Sequence, residues 1–322
     1  MQEQTAKPLV SVGVSVYNHG GFLEKALNSI LMQKTSFVYE IVIGDDLSID
    51  DSREILKKYK SRYPEKINLL LAGENRGACN NAFNIYKNCR GKYIAVLEGD
   101  DYWTYEHKLQ KQIDFLENNN EYNGCFHDAA IAGNFEQGKT YAFSSEQCYA
   151  DYKYYSQFNR FKPDFFPWDL LQRNIIPTAS LVFRNNDYSD FFHRFSHIRL
   201  SLQWALHLYL IKGSKFKFFN EAWSVYNDHP QGVTKKNDPI AFNKSNLAIL
   251  KTLKKDNYYK YCRLDLNRAF LGEYREILYK KSSLNLSVLS YLKYYLSYKK
   301  YIFRLFFSES SYFHSLKRKK NK

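Results

Sequence analysis

The stretch Gly91-Lys92-Tyr93-Ile94-Ala95-Val96-Leu97-Glu98-Gly99-Asp100-Asp101-Tyr102-Trp103 sets an apolar run directly against three carboxylates. Tyr93 to Leu97 predicts a buried strand. Glu98, Asp100 and Asp101 crowd its carboxyl end, where they repel one another and where partial burial makes ionisation costly. A hard divalent cation with oxygen ligands would relieve both. In open α/β sheets the ligand crevice lies beyond the carboxyl ends of the strands, and a metal held there suits phosphates. Read alone, the same residues also make an ordinary acidic turn, with Asp101 or Thr104 capping a helix that starts near Tyr105.

Upstream, the pattern recurs. Val10-Ser11-Val12-Gly13-Val14-Ser15-Val16-Tyr17-Asn18 predicts a first strand, followed by a Gly20-Gly21 break. Phe22, Leu23, Ala26, Leu27, Ile30 and Leu31 then fall on one stripe of a helix. Tyr39 to Gly44 predicts a second strand ending in Asp45-Asp46-Leu47-Ser48, with an amphipathic helix over Ser52 to Tyr59. Ile67 to Leu71 is a third, ending at Glu74-Asn75-Arg76-Gly77. Alternating β and α units imply a doubly wound, mostly parallel, Rossmann-like sheet. The loops holding Tyr17, Asp46, Asn75-Arg76 and Asp100-Asp101 should therefore converge on one edge, as a nucleotide site requires.

The ordered set resembles the family 2 glycosyltransferases of the GT-A fold. It comprises Val14 to Asn18, Ile43 to Asp50, Glu74-Asn75-Arg76-Gly77, Gly91 to Asp101, Asn174 to Ser180 and Ser224-Val225-Tyr226-Asn227-Asp228-His229. It runs from about residue 8 to about 235. The resemblance implies an inverting, metal-dependent transferase that uses a nucleotide-diphosphate sugar, with a UDP-sugar expected, and a glycan or lipid-linked acceptor of surface-polysaccharide type. Tyr17 would stack on the base, with Ser15 and Asn18 lining base and ribose. Asp46 would accept a hydrogen bond from the base, and Asn75 and Arg76 would lie near base or phosphates. Glu98, Asp100, Asp101 and His229 would hold Mn2+ or Mg2+, with Asp100 also facing the nucleotide.

One position departs from that pattern. In Ser201-Leu202-Gln203-Trp204 the family's usual aspartate, the general base, is Gln203, and an amide cannot take the acceptor's proton. Asp169 or Asp228 could serve, Gln203 could merely open an amphipathic helix, or the chain could be a nucleotide-sugar-binding module with little transfer. A nucleotidyltransferase shares sheet and metal, yet needs a glycine-rich, basic phosphate loop near the first strand; here Tyr17-Asn18-His19-Gly20-Gly21 is followed by no Lys or Arg until Lys25.

The 322 residues, 44% apolar, suffice for a full α/β core plus a smaller unit. The expected division is a GT-A domain over 1–238, with a donor half of about 8–103 and an acceptor half of about 104–238, then a helical C-terminal region over 239–322. Charge divides at nearly the same place. Of 47 Lys+Arg and 33 Asp+Glu, residues 251–322 hold 18 and 5, leaving 29 and 28 for the rest. Cations and aromatics at helical spacing there suggest a helix lying on an anionic membrane surface; a solvated helical cap is the plainer alternative. No nucleic-acid module is visible and no nucleic-acid partner is expected. Five scattered cysteines without a CxxC, a polar Met1–Lys7 and no long apolar run predict a cytoplasmic protein, peripheral at most on the inner membrane face. Tyr152, Tyr154, Tyr155, Phe165, Phe166 and Trp168 are expected either to wall the acceptor site or to join the core.

Overall fold

Val10, Val12, Val14 and Val16 alternate onto one face of a strand whose other face carries Ser11, Gly13 and Ser15, and this period of two organises the sheet. The structure is a computed structural model that describes residues 7–133, 153–154, 156, 161–232, 240–280 and 287–320. Strands β1 (Val10–Val16), β2 (Tyr39–Asp45), β3 (Ile67–Leu71) and β4 (Tyr93–Glu98) form its first half, in the order β3-β2-β1-β4, all parallel. The second half adds β5 (Tyr102–Trp103), β6 (Tyr122–Gly133), β9 (Val182–Arg184) and β10 (Lys215–Asp228), continuing the order as β9-β6-β10-β5. Short β7 (Lys153–Tyr154) and β8 (Asp164–Phe165) pair with β6 and β10. In this half β6 and β10 are parallel and β9 is antiparallel to both neighbours, so the sheet is mixed but mostly parallel.

Helices cover both faces. On one, α1 (Gly20–Leu31), α2 (Ser52–Arg62) and α4 (Lys108–Asn118) bury Leu23, Leu27, Ile30, Leu56, Leu109 and Ile113 against the β1 valines. Helix α1 lacks a side-chain N-cap, worth about 1 kcal/mol, but each fully buried Leu or Ile returns about 2 kcal/mol, so packing decides. On the other face α3 (Gly77–Asn88) sits very close. A Cβ at Gly44 would lie 2.4 Å from Asn81 Oδ1 and 2.7 Å from Ile85 Cγ1, so β2 needs glycine there. Beside α3 lie α5 (Pro167–Leu170), α6 (Ser189–Phe195) and α7 (Leu202–Leu210).

Past residue 239 come α8 (Ala241–Leu253), α9 (Arg263–Tyr279) and α10 (Val288–Lys320). Leu247, Leu250 and Leu253 of α8, with Leu266, Phe270 and Ile277 of α9, belong to the same apolar cluster as α3, α6 and α7. These helices thus cap the α/β core. Helix α10 rests on α9 through Tyr301, whose ring stacks on Phe270 at 4.6 Å. No helix among the described residues is long and apolar enough to cross a membrane. Cys79, Cys89, Cys125 and Cys262 are free and buried, while Cys148 lies outside the described residues.

Candidate active site

The strand-end loops are bolted to one another before any ligand is considered. Asn18 takes a left-handed backbone (φ 57°), and its side-chain Oδ1 accepts from Ile49 N at 2.9 Å while its own N–H donates to Ser48 Oγ at 2.9 Å. His19 N donates to Ser52 Oγ at 2.9 Å. Asp46 is buried, and its carboxylate accepts from Arg76 N at 2.8 Å, which ties the β2 loop to the β3 loop. Gly99 N donates to Ser15 O at 2.9 Å, and a Cβ at Gly99 would come within 2.8 Å of His19 Nδ1. The loops after β1, β2, β3 and β4 therefore form one rim, and a cleft of about 1950 Å³ opens along it. That is about twice the room a single drug-sized ligand takes.

Within this rim the three acidic residues divide their roles. Asp100 lines the cleft, with Oδ2 3.0 Å from His229 Nε2 and 3.6 Å from His19 Nε2. Burial alone would raise its pKa, but the His229 hydrogen bond and the His19 charge outweigh it and hold Asp100 below its usual range. Glu98 also lines the cleft; burial and then the Asp100 charge push it up to about 8, against a hydrogen bond with Thr178. Its Oε1 accepts from Gln203 Nε2 at 3.1 Å. Asp101 turns away. It is buried, its Oδ1 accepts from Asn227 N at 3.0 Å, and burial with the neighbouring Asp100 and Glu98 charges raises its pKa well above normal. The same Asn227 donates through its side chain to Asp100 O, so β10 clamps the acidic loop and brings His229 over it.

His229 is raised by that Asp100 hydrogen bond, which outweighs its burial. His19 is lowered, chiefly by burial, with Asp100 opposing. Its Nδ1 is buried without a partner. Among the described residues no three His, Cys, Asp or Glu side chains are gathered into a ready metal cage. What the rim offers is the Asp100 carboxylate flanked by the His229 and His19 imidazoles, short of a full ligand set.

Residues 11–187, more than half of the chain, match the sequence model for "Glycosyl transferase family 2". The chain belongs to this family. Among curated proteins, the chain is similar to the uncharacterized protein Rv1520 of Mycobacterium tuberculosis, 31% identical over 67% of this chain and 58% of that protein. The chain thus spans less than two thirds of that relative's length. The family fold is matched by S. aureus TarS 1-349 in complex with UDP-GlcNAc, at a TM-score of 0.63 and 14% identity, covering 91% of this chain and 80% of that one. It is also matched by the mannosyltransferase PcManGT from Pyrobaculum calidifontis in complex with GDP-Man and Mn2+, at 0.50 and 13% identity, covering 94% and 84%. At such identities the two structures establish the GT-A fold alone.

Of the family-derived site residues, Ser15, Tyr17, Asn18, Asp46, Asn75, Glu98, Asp100, Gln203 and His229 line the one cleft. Arg76 and Asp101 do not line it: Arg76 stands at the start of α3 with its side chain toward Glu74 at 3.4 Å. Gln203 is presented by a left-handed Ser201 (φ 58°) just before α7, a conformation unusual away from glycine. Asp169 lines the cleft, whereas Asp228 does not. Of the expected aromatic wall, Phe165 is core, Trp168 is half-exposed and stacks on Phe166 at 5.0 Å, and Tyr152 and Tyr155 lie outside the described residues. Sequence reasoning missed His19 and Thr178. The first sits one residue past the strand-end Asn18, and its place against Gly99 is the only cue.

Proposed function

We propose that the chain transfers a sugar from a UDP-sugar to a hydroxyl of a glycan or lipid-linked acceptor, with inversion and with Mn2+ or Mg2+ as cofactor. The observation that carries this reading is Asp100, anchored between His19 and His229 at the centre of a rim built from four consecutive strand ends. The UDP-GlcNAc of TarS and the GDP-Man and Mn2+ of PcManGT are consistent with it. Tyr17, half-exposed at the rim, offers its ring to the base, and Asp46 an acceptor oxygen. Ser15 and Asn18 border the ribose, with Asn75 beside it. Asp100 and His229 would hold the cation, which when bound acts as a Lewis acid on the departing diphosphate. Asp101 and Glu98 shape the loop around it.

The acceptor hydroxyl must lose its proton as it attacks the anomeric carbon, and Gln203 cannot take it. Three carboxylates line the acceptor side of the cleft, Asp169, Glu273 and Glu276, and we assign the proton to Asp169. Lys162 Nζ and Phe166 N, both at 2.8 Å from Oδ2, fix its orientation. A second reading rests on the Gln203 to Glu98 hydrogen bond: an amide locked in the base position suits a module that binds donor without transferring it. Release of UDP from UDP-sugars in the presence of an acceptor glycan decides between them. Turnover by the native chain, lost in Asp169→Asn with UDP affinity kept, supports transfer. Turnover only after Gln203→Asp supports the module.

The acceptor reading extends to the membrane. Helix α10 keeps Tyr294, Tyr298 and Tyr301 toward α9 and exposes Leu289, Leu292, Leu296, Phe303 and Phe306 on the opposite side. Lys293, Lys300 and Arg304 flank this stripe, the arrangement of a helix lying in an anionic headgroup layer.

A further inference from the structure

The residues assigned to the donor leave another part of the cleft wall without a role. That part comes from the segment after α5, the loop between α6 and α7, and helices α8 and α9. These pieces are joined directly. Gln172 Nε2 donates to Asp265 O at 3.0 Å, and Ser245 Oγ donates to Leu200 O at 2.7 Å. Asn243 and Asn246 both donate to the Glu273 carboxylate, at 2.7 and 3.0 Å, which holds α8 on α9. The C-terminal helices therefore build part of the site itself.

The charges on this wall do not cancel. Asp169 is matched by Lys162 at 2.8 Å, Glu273 is satisfied by its two asparagines, and Glu276 lies 3.9 Å from Arg275. Arg173 and Arg199 also line the cleft, and among the described residues neither has an acidic partner. Both are solvent-exposed, and two guanidinium groups lining one cleft with no acidic partner among the described residues make a receptor for an oxyanion, because each offers a planar fork of donors matched to phosphate or carboxylate.

Building on the transferase reading, we infer that this part of the cleft takes an acceptor that carries an oxyanion beside the accepting hydroxyl, with Arg173 and Arg199 as its ligands. The shared chemistry is a phosphate ester or a uronic carboxylate. An acceptor so held is oriented by charge at one end, leaving its hydroxyl to face the donor and Asp169.

The test uses the full chain. UDP is titrated first. The UDP-saturated protein then meets glycerol 1-phosphate, glucuronate and glucose in separate saturation-transfer NMR titrations. We expect at least one anion to bind in preference to glucose and to weaken about tenfold or more in the double variant Arg173→Gln with Arg199→Gln. UDP affinity should stay unchanged, and the corresponding double lysine variant should retain more anion binding than the glutamine one. The preferred anion tells phosphate from carboxylate. Equal binding of all three probes, binding of none, or a loss of UDP affinity in the double variant would overturn the inference, the last by placing the arginines in the donor site. If UDP itself fails to bind, the transferase reading falls with it; UDP binding without anion preference removes this inference alone.

Discussion

Asp100 Oδ2 lies 3.0 Å from His229 Nε2, a contact that joins the Asn227 clamp in tying the loop after the fourth strand to the end of the last long strand. His229 is held above its ordinary 6.5 by that contact, which means the folded state binds its proton more tightly than the unfolded chain does. The stabilisation is then complete below 6.5 and fades as pH rises through the raised value. In metal-free buffer with chelator, thermal unfolding of the native chain should lose stability relative to His229→Gln as pH climbs from about 6 to about 9. Parallel pH profiles for the two proteins would contradict this.

Tyr17 is 46% exposed at the rim of the cleft, too open to matter much for folding. Stacking of a base on an aromatic ring is worth roughly 1–3 kcal/mol. Tyr17→Ala should therefore weaken UDP about tenfold by calorimetry while leaving the unfolding midpoint within experimental scatter. Unchanged UDP affinity would move the base elsewhere.

Glu40 is buried beneath the sheet edge, where it accepts from Ser11 Oγ at 2.6 Å, from Arg90 N at 2.8 Å, and from Arg90 Nη2 at 2.7 Å. Removing one partner of such a network leaves the others unpaired, a loss of about 3–5 kcal/mol for fully buried pairs. Arg90 is 64% exposed, so solvent screening brings the loss below that range. Glu40→Ala should lower unfolding free energy by about 2–3 kcal/mol in denaturant titration.

The first half of the sheet was legible because β1, β2 and β4 are apolar runs closed by polar loops, and α1 carries Leu23, Ala26, Leu27 and Ile30 at helical spacing. Trp204 and Trp223 are both buried. Helix α3 was not assigned: its buried face mixes Cys79, Asn81 and Ala82 with Ile85 and Tyr86, so no continuous apolar stripe marks it. The long strands β6 and β10 were hidden for another reason. They carry charged and polar residues such as His127, Asp128, Lys215 and Lys217, which break the apolar alternation, and Asp128 is bonded by Ser156 from another segment. At the site, composition announced three acids but not their directions. Only the Asn227 clamp from β10 shows that Asp101 faces inward while Asp100 faces the cleft.

Leu296 and Phe303, 66% and 62% exposed, lie on the outward stripe of α10. Each basic residue near an anionic surface adds about 1 kcal/mol. The chain should co-sediment with phosphatidylglycerol-containing vesicles, bind less to pure phosphatidylcholine, and lose most vesicle binding in Leu296→Glu with Phe303→Glu. Equal sedimentation with both lipids, or no effect of the double variant, would leave α10 a solvated cap.

The central claim is that Asp100 seats a cation that carries the donor diphosphate. Thermal unfolding with UDP, with and without Mn2+, tests it in the native chain and in Asp100→Asn. At a ligand concentration of about 100 times Kd, specific binding adds about 2.7 kcal/mol of stability. The account predicts a manganese-dependent gain of this order in the native chain and its disappearance in the variant. An equal manganese-dependent gain in both would contradict it.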